Sequence, residues 1–302
     1  MKILVYQLRM LGDILLGTSA AKQLKQKYPG TQVTYVTGCR SLCETNPYID
    51  HVVEKHLSVR EEYLDFWLSR PRYTHAYHLL HWLPRPNCLQ DFMAQCGLPR
   101  QNVPVRLILT ESDRRLASAF LDGQKLDAGK RTIAIQGDFG RKWHDEQFRC
   151  LNAQLSRLYN VVTIAAGMRI GERLLNMREA AAVIAACELF VGGISGTLHA
   201  AVAVGVPTVA TPNAYDARWV MPEYYQNEFI DDPSRRHVTV RPLPERFCGN
   251  YACVSLTSRH IDVRGGSHTP QRCAAGLPLG CIPAITAEQV FRAVQEKMDA
   301  LR

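Results

Sequence analysis

The segment from 191 to 201 combines glycines, hydroxyl side chains and a histidine at a point where a strand passes into a helix. It reads Val-Gly-Gly-Ile-Ser-Gly-Thr-Leu-His-Ala-Ala, with Ser195, Gly196, Thr197 and His199 at its centre. Glycines let the backbone approach a ligand closely, and the free N–H groups at a helix N-terminus attract anions. The pattern therefore indicates a diphosphate site. A tight turn without a ligand, and a buried structural His199, explain the same residues about as well.

A second polar position follows the first apolar run of the chain. Ile3 to Tyr6 predicts a strand, and Gly12-Asp13 then opens a helix that continues to about Lys27. Doubly wound sheets bind ligands at the carboxyl ends of their strands, which is where Asp13 falls. A carboxylate there could take a proton from an attacking hydroxyl. Asp13 could also be no more than the cap of the helix.

A third loop, Gly137 to Trp143, follows the predicted strand Thr132 to Ile135 and carries Arg141 and Lys142. Either cation could hold a phosphate at the carboxyl end of that strand. The alternative is a solvated basic loop with no ligand.

Strand and helix signals alternate along the chain, which predicts parallel sheets covered by helices. Asn176 and Glu179 have capping-box spacing before a helix that runs to about Cys187. The further predicted strands are Gln32 to Val36, His51 to Val53, Tyr73 to Leu80, Val103 to Leu109, Val161 to Ala165, Leu189 to Val191 and Pro207 to Ala210. Because each half begins with strand, loop and helix, we predict an α/β protein with two similar doubly wound, Rossmann-like domains.

The domain boundary is predicted in the polar, glycine-containing stretch from 121 to 130. We therefore assign residues 1–125 to an N-terminal domain and 131–285 to a C-terminal domain. Residues 286–302 are predicted to form a final helix, for which packing back on the N-terminal domain is one option.

The formal net charge of +8 arises from 36 Lys and Arg against 28 Asp and Glu, and it is spread along the chain. No basic stripe with interleaved aromatic residues occurs, so nucleic acid is not a predicted partner. An anionic substrate, or an acidic membrane surface, explains the charge. Neither a signal-peptide core nor an apolar stretch long enough to span a membrane is found. The expected location is the cytoplasm, with at most peripheral contact with the inner membrane.

Four of the ten cysteines, Cys248, Cys253, Cys273 and Cys281, fall in one loop-rich stretch. In a reducing compartment, clustered cysteines more often bind metal than form disulfides. Four thiolates could close a tetrahedral zinc or iron site, which would be structural because no coordination position is left for chemistry. Buried or oxidised thiols are the alternative, since no pair has the two-residue spacing of a zinc knuckle.

Taken together, these segments resemble glycosyltransferase family 9, the heptosyltransferase family, which adopts the GT-B fold of two facing Rossmann-like domains. The similar segments occur in the family's order and cover most of the chain: Ile3 to Ala21, Asn46 to Val53, Lys142 to Phe148, Met177 to Val209 and Asp216 to Pro222. Each motif is weak alone, and the ordered set carries the resemblance.

The resemblance implies an inverting, metal-independent transfer of a sugar from a nucleotide-sugar donor, typically ADP-heptose. The acceptor hydroxyl would belong to a glycan, a lipid-linked or a protein acceptor bound by residues 1–125, and the donor would lie on 131–285. Asp13 matches the general base, with Arg9 and Gly12 beside it on the acceptor side. No cofactor is expected for catalysis.

On the donor side, the resemblance assigns Lys142 to the phosphate or sugar. The diphosphate would be held by the helix start at Ser195, Gly196, Thr197 and His199. Glu172 is the candidate for the acidic contact to the ribose.

The chain departs from the family at Ile194, where an acidic residue usually helps to hold the donor sugar. A different nucleotide sugar is therefore an alternative donor. A non-catalytic nucleotide-binding protein and a metal-dependent interaction protein are the alternatives from other functional classes.

Overall fold

The structure is a computed structural model that describes residues 1–8, 10–79, 88–101, 103–137, 145–165, 167–193, 195–211, 237–240 and 285–302. Two parallel sheets covered by helices make up these residues, as the alternation of strand and helix signals predicts. Several candidate residues lie outside the described ranges: Arg9, Lys142, Ile194, Cys248, Cys253, Cys273 and Cys281.

The first sheet has the strand order β3-β2-β1-β4, and all its described pairs are parallel. Its elements are β1 (Lys2–Gln7), α1 (Leu11–Lys27), β2 (Gln32–Thr37), β3 (His51–Glu54), α2 (Val59–Ser69), β4 (His75–His78) and α3 (Cys88–Gln95). The central β1 is buried from Ile3 to Gln7 because helices cover both faces of the sheet. α1 and α3 pack on one face, and α2 packs on the other through Phe66.

The second sheet has the order β11-β10-β9-β5-β6, again with parallel pairs. Its elements are α4 (Glu111–Asp122), β5 (Thr132–Gln136), α5 (Asp145–Leu158), β6 (Asn160–Ile164), β7 (Arg169–Ile170), β8 (Arg173–Leu174), α6 (Met177–Ala185), β9 (Leu189–Gly193), α7 (Gly196–Ala203), β10 (Thr208–Thr211), β11 (Val238–Thr239) and α8 (Ala287–Ala300). β7 and β8 form a separate antiparallel hairpin. α4, α6 and α7 cover one face of the sheet, and α5 and α8 cover the other.

The final helix α8 packs against α5 and β10 of the second sheet. Val290, Val294 and Met298 are buried in the same apolar cluster as Leu151 of α5. The backbone N–H at the start of α8, on Ala287, donates to a side chain of α5 at 2.7 Å. Apolar burial therefore attaches this helix to the second sheet.

The helix α4 precedes the expected boundary at 125–131, yet it packs with the second sheet. Its side chains Ala117 and Phe120 belong to the cluster that contains Ala134 and Val162 of that sheet. α4 therefore packs with the second sheet, although it lies on the N-terminal side of the predicted boundary.

The stretch from 103 to 109, predicted as a strand, forms no ladder with the described strands. Val103, Val105 and Leu107 are buried in alternation, so the period of two is present. The N–H of Leu107 donates to the carbonyl of Ala203 in α7 at 3.0 Å. The alternation of apolar residues thus reflects the burial of one side of an extended segment, and it does not indicate pairing with a strand.

α7 lies between the two halves of the molecule. Leu198 and Ala201 contribute to the core of the second sheet, whereas Ala200, Val202 and Ala203 contribute to the core shared with α1. A helix that is apolar on all sides is one that is buried on all sides. Its alanines let α1 approach closely, which determines the geometry of the site described next.

Candidate functional site

The N-termini of α1 and α7 touch each other at the carboxyl ends of β1 and β9. A β-carbon added at Gly12 would lie 2.4 Å from Cδ2 of His199, and one added at Gly196 would lie 2.8 Å from Cβ of Leu11. Real side chains do not approach so closely, so both positions require glycine in this arrangement. The two strongest sequence motifs, although about 180 residues apart, therefore meet at one place.

The loop that leads into α7 is held by a buried glutamine. Oε1 of Gln136, at the end of β5, accepts from the backbone N–H of Gly193 at 3.0 Å and lies 3.0 Å from the Ser195 hydroxyl. A β-carbon at Gly192 would lie 2.8 Å from the same oxygen, so glycine there leaves room for the contact. Gln136 is a site residue that the sequence reasoning missed. A polar residue that ends an otherwise apolar buried strand was the available signal.

Ser195 is the N-cap of α7, and its hydroxyl is occupied by protein groups. It accepts from the N–H of Leu198 at 3.3 Å and lies 2.8 Å from the Thr197 hydroxyl. In the described part of the chain, the backbone N–H groups of Gly196 and Thr197 have no acceptor. Free N–H groups in the first helical turn, together with the helix dipole, make this end of α7 suitable for an anion.

His199 lies one turn into α7 and is almost fully buried against Gly12. Burial lowers the pKa of its imidazole to about 4, because desolvation disfavours the charged ring. The ring is therefore neutral at pH 7. It can donate or accept a hydrogen bond, but it does not bring a positive charge to a diphosphate.

Asp13 is the third residue of α1 and is half-buried. The N-cap of the helix is Met10, which makes no side-chain capping bond, so Asp13 does not occupy the cap position considered from the sequence. Met10 has φ 54, a left-handed conformation that is uncommon for a residue with a side chain. Such strained turns cluster at ligand sites. Asp13 thus lies in the first turn of the helix whose start contacts His199.

Glu172 makes no described contact with this cluster. It lies in the turn of the β7–β8 hairpin and is exposed. Its carboxylate makes no hydrogen bond or ion pair with another described residue. The structure therefore brings Gly12, the neighbour of Asp13 in α1, to the start of α7, and no described contact links Glu172 to it.

Arg178, also without a predicted role, joins the two halves beside the site. Its guanidinium contacts the carboxylate of Glu44 in the first half at 2.6 Å and that of Asp113 in α4 at 3.0 Å. Burial opposes ionisation of Asp113, but hydrogen bonds from Thr110 and the Arg178 charge outweigh it and lower the pKa of this carboxyl. The three side chains form an ion-pair network that fixes α6 against the loop containing Glu44.

Neither a metal-binding cluster nor a membrane-spanning helix occurs within the described ranges. No group of three or more His, Cys, Asp or Glu side chains could hold a metal ion. No described helix is long and apolar enough to cross a membrane.

The fold is shared with solved glycosyltransferase structures over nearly the whole chain. The family 9 glycosyltransferase of Veillonella parvula DSM 2008 superposes with a TM-score of 0.64 at 17% identity, covering 99% of this chain and 97% of that one. ADP-heptose lipopolysaccharide heptosyltransferase II of E. coli gives 0.61 at 17% identity and full coverage of both chains. The iron-containing dodecameric glycosyltransferase TibC of enterotoxigenic E. coli H10407 gives 0.67 at 16% identity, covering 100% of this chain and 77% of that one.

The chain has the GT-B fold. The fold class predicted from the sequence motifs is thereby confirmed, and so is the resemblance to the heptosyltransferases at the level of structure. No protein-family model matches the chain, and no curated relative matches it in sequence. In a GT-B fold the two doubly wound halves face each other across their carboxyl edges. The contact between α1 and α7 lies where those edges meet.

Proposed function

We propose that this protein is a glycosyltransferase that takes a sugar from a nucleotide-sugar donor. The observation that carries the proposal is the contact between Gly12 and His199, which brings the start of α1 to the start of α7. A carboxylate on one helix and an anion-binding N-terminus on the other are the two groups that displacement of a nucleoside diphosphate needs.

In the proposed reaction, Asp13 takes the proton from an acceptor hydroxyl as its oxygen attacks the anomeric carbon of the donor sugar. The bond from that carbon to the diphosphate oxygen breaks, and the configuration at the carbon inverts. The leaving diphosphate gains negative charge near the N–H groups of Gly196 and Thr197, where the helix dipole stabilises it. Lys142 supplies the positive charge that the neutral His199 does not, and no metal ion is needed.

For the finer assignment, we propose ADP-heptose as the donor and a glycan, lipid-linked or protein hydroxyl as the acceptor. Support comes from the structural neighbours, one of which is described as an ADP-heptose lipopolysaccharide heptosyltransferase and another as a complex with ADP-D-β-D-heptose. Residues 1–125 would bind the acceptor, and residues 131–285 the donor. Since nucleotide sugars are made in the cytoplasm, the reaction would take place there.

Calorimetry with ADP, UDP and GDP tests donor binding, and product analysis with ADP-heptose tests transfer or donor hydrolysis. We expect ADP to bind most tightly and to raise the melting temperature by mass action. Ser195→Ala should weaken ADP binding about tenfold, because the loop loses one of its two hydrogen bonds to Gln136. The matched control is Ser156→Ala, whose hydroxyl bonds only the carbonyl of Asn152 in α5.

Equal weakening in the control would show a general loss of stability and not a local effect. Tighter binding of UDP or GDP than of ADP would change the nucleotide of the proposed donor, and the proposed reaction would remain glycosyl transfer. Absence of binding to all three nucleotides, with no turnover of ADP-heptose, would overturn the proposed function.

A structural metal site at Cys248, Cys253, Cys273 and Cys281 stays a proposal, since all four lie outside the described residues. One structural neighbour is described as iron-containing. Elemental analysis of untagged protein purified without chelator should give about one zinc or iron per chain, bound by four thiolates. Metal well below this level would leave the cysteines as packing residues.

A further inference from the structure

The outer face of α2 is apolar and exposed. At 100° per residue, five of its side chains fall within one half of the helix circumference. They are Val59, Tyr63, Leu64, Trp67 and Leu68, with exposed fractions of 42, 51, 58, 44 and 68%. Contiguous apolar surface of this kind on a folded protein marks an interaction site more often than chance exposure. We refer to these five residues as the α2 face.

The inner face of α2 carries the polar groups, and each of them has a partner. Glu62 pairs with Nε2 of His78 at 3.0 Å, and both side chains are less than a tenth exposed. Asp65 binds Nζ of Lys55 at 2.6 Å and accepts from the Tyr6 hydroxyl. Turning the helix to hide its apolar face would expose Phe66 and break the buried Glu62–His78 pair as well as the partly exposed Asp65–Lys55 pair. The outward orientation of the α2 face is therefore built into the packing.

Arginines lie at both ends of the α2 face. Arg60, Arg70 and Arg72 are exposed, and none of them forms an ion pair with a described residue. The Arg70 guanidinium lies 4.9 Å from the centre of the Trp67 ring. The exposed acid on this helix, Glu61, keeps its negative charge, because the hydrogen bonds of the Ser58 capping box lower the pKa of its carboxyl. Three arginines against this one carboxylate leave the surroundings of the face with a net positive charge.

We propose that the α2 face binds the surface of an anionic lipid bilayer. Trp and Tyr side chains favour the boundary between headgroups and acyl chains, and leucines beside them enter the apolar layer. The arginines at the rim complement the lipid phosphates. A second copy of the chain fits this face less well, since a two-fold contact would bring arginine rims of the same sign together.

A cleft of about 540 Å³ beside the α2 face extends the same surface. Its lining includes Trp67 and Arg70 together with Tyr73 and His75, the latter at the start of the edge strand β4. The cleft gives a lipid headgroup room to approach the Arg70 guanidinium. This position on the first half is independent of the α1–α7 site, so binding does not require the proposed transferase activity.

Co-sedimentation with vesicles tests the proposal. We expect the protein to bind vesicles of phosphatidylcholine with about one-third phosphatidylglycerol, and to bind pure phosphatidylcholine weakly. Binding should decrease as salt rises, because salt screens the arginines from the lipid phosphates. Arg60→Gln and Arg72→Gln should each reduce partitioning about fivefold, while melting temperature stays unchanged.

The apolar contribution is tested by Leu64→Glu combined with Leu68→Glu, which should abolish vesicle binding. The matched control is Leu158→Glu combined with Leu174→Glu, two leucines of similar exposure, 47 and 52%, on the second half. Sedimentation of the first variant equal to that of the control would overturn the proposal. So would a wild-type dimer, measured without lipid, that the first variant dissociates, because the face would then join two copies.

Quenching by brominated lipids keeps the test valid if the glutamate variant does not fold. Wild-type fluorescence should be quenched by bromine near the headgroup boundary, and Trp67→Phe should lose that part of the quenching. Identical quenching in the two proteins would place Trp67 away from the bilayer and contradict the proposal.

Discussion

The hydroxyl of Ser195 has several partners in the protein before any ligand arrives. Gln136, Gly193 and Thr197 lie within 3.1 Å of it, and the N–H of Leu198 donates to it. The Ser195 hydroxyl therefore stabilises the loop, whereas the free backbone N–H groups of Gly196 and Thr197 are the groups proposed to bind the ligand. The sequence motif identifies this segment as a unit but does not separate these two tasks.

The proposed base is tested by Asp13→Asn, which keeps the shape of the side chain and removes its capacity to accept a proton. Turnover should fall by about 10²-fold or more, the usual scale for loss of a general base. Affinity for ADP should change little, because Asp13 lies on α1 and the diphosphate is proposed to lie on α7.

The measurement is single-turnover transfer together with calorimetry on the same preparation. The control is Glu296→Gln, which replaces an exposed carboxylate on α8. It should leave turnover and the affinity for ADP unchanged. Near-normal transfer by a folded Asp13→Asn protein would remove Asp13 from the mechanism.

At the residue scale, the sequence drew attention to positions that follow a strand within a recognisable motif, and their roles in the site stay predictions. Gly12, Asp13 and the start of α7 belong to this group. Gln136 and Arg178 were missed because their roles are contacts between distant positions. Gln136 binds a residue 57 positions away, and Arg178 binds one 134 positions away. Local patterns do not carry such pairings.

At the scale of elements, the site depends on how closely α1 approaches α7. Gly12→Ala places a methyl group 2.4 Å from the His199 ring and should destabilise the protein by about 1–3 kcal/mol through overpacking. In a His199→Ala background the ring is gone, so the same change should cost much less. A double-mutant cycle from urea unfolding should give a coupling energy of about 1–2 kcal/mol.

Gly123→Ala is the matched control for that cycle. Gly123 has φ −73, and a β-carbon there meets nothing closer than 3.4 Å. Gly123→Ala should therefore not lower the free energy of unfolding. Additive effects of Gly12→Ala and His199→Ala would show that the two helices do not touch. A Gly196→Val variant would also block a ligand at the start of α7, but its side chain would clash with Leu11 as well. Ser195→Ala is therefore the more specific test of nucleotide binding at this site.

The network around Arg178 is a second link between elements. Arg178→Met removes two ion pairs and leaves the Asp113 carboxylate, only 4% exposed, without its cation. We expect a loss of about 1–3 kcal/mol, the usual cost of an unpaired buried polar group. Arg115→Met breaks an exposed pair with Glu111 in the same helix. Such pairs contribute about 0–1 kcal/mol, so urea unfolding should change little in this control.

Helices and strands were predictable where apolar periodicity and capping residues agreed. α4 was not predicted, although its sequence contains a capping box. Its Thr110–Asp113 capping box has the same spacing as the Asn176–Glu179 box that correctly located α6. The helix was overlooked because a polar linker follows it immediately. The segment 103–109 failed for the opposite reason, since alternating burial is necessary for a strand but does not create a pairing partner.

At the scale of the whole molecule, architecture is preserved where sequence is not. Only 16 to 17% of residues match the family 9 and TibC structures, yet nearly the whole chain superposes. The alternation of strands and helices requires only apolar periodicity and caps, which many sequences satisfy. The identity of the sugar depends on a few side chains, including Ile194 and Lys142, and general patterning does not determine these.

The stability of the whole molecule should depend on pH through two buried histidines. Burial lowers the pKa of His199 to about 4; burial, reinforced by Lys297, lowers that of His237 to about 3. Unfolded histidine titrates near 6.5. Between these values the unfolded chain binds protons that the folded chain does not, so stability is complete above pH 6.5 and declines as pH falls towards 4.

Each histidine should account for a loss on the order of 3 kcal/mol over that range, a sizeable part of the stability of a typical domain. Urea unfolding at constant ionic strength between pH 7.5 and 4.5 measures it. His199→Gln keeps a polar side chain and removes the titrating group, so its stability should fall less steeply with decreasing pH than that of the wild type. The carboxyls of Asp50, Asp65 and Asp113 have lowered pKa values and lose their contributions only below about pH 4, outside the measured range. A wild-type stability that stays level down to pH 4.5 would mean that His199 and His237 are protonated in the folded protein, and hence that water reaches the ring of His199 beside Gly12.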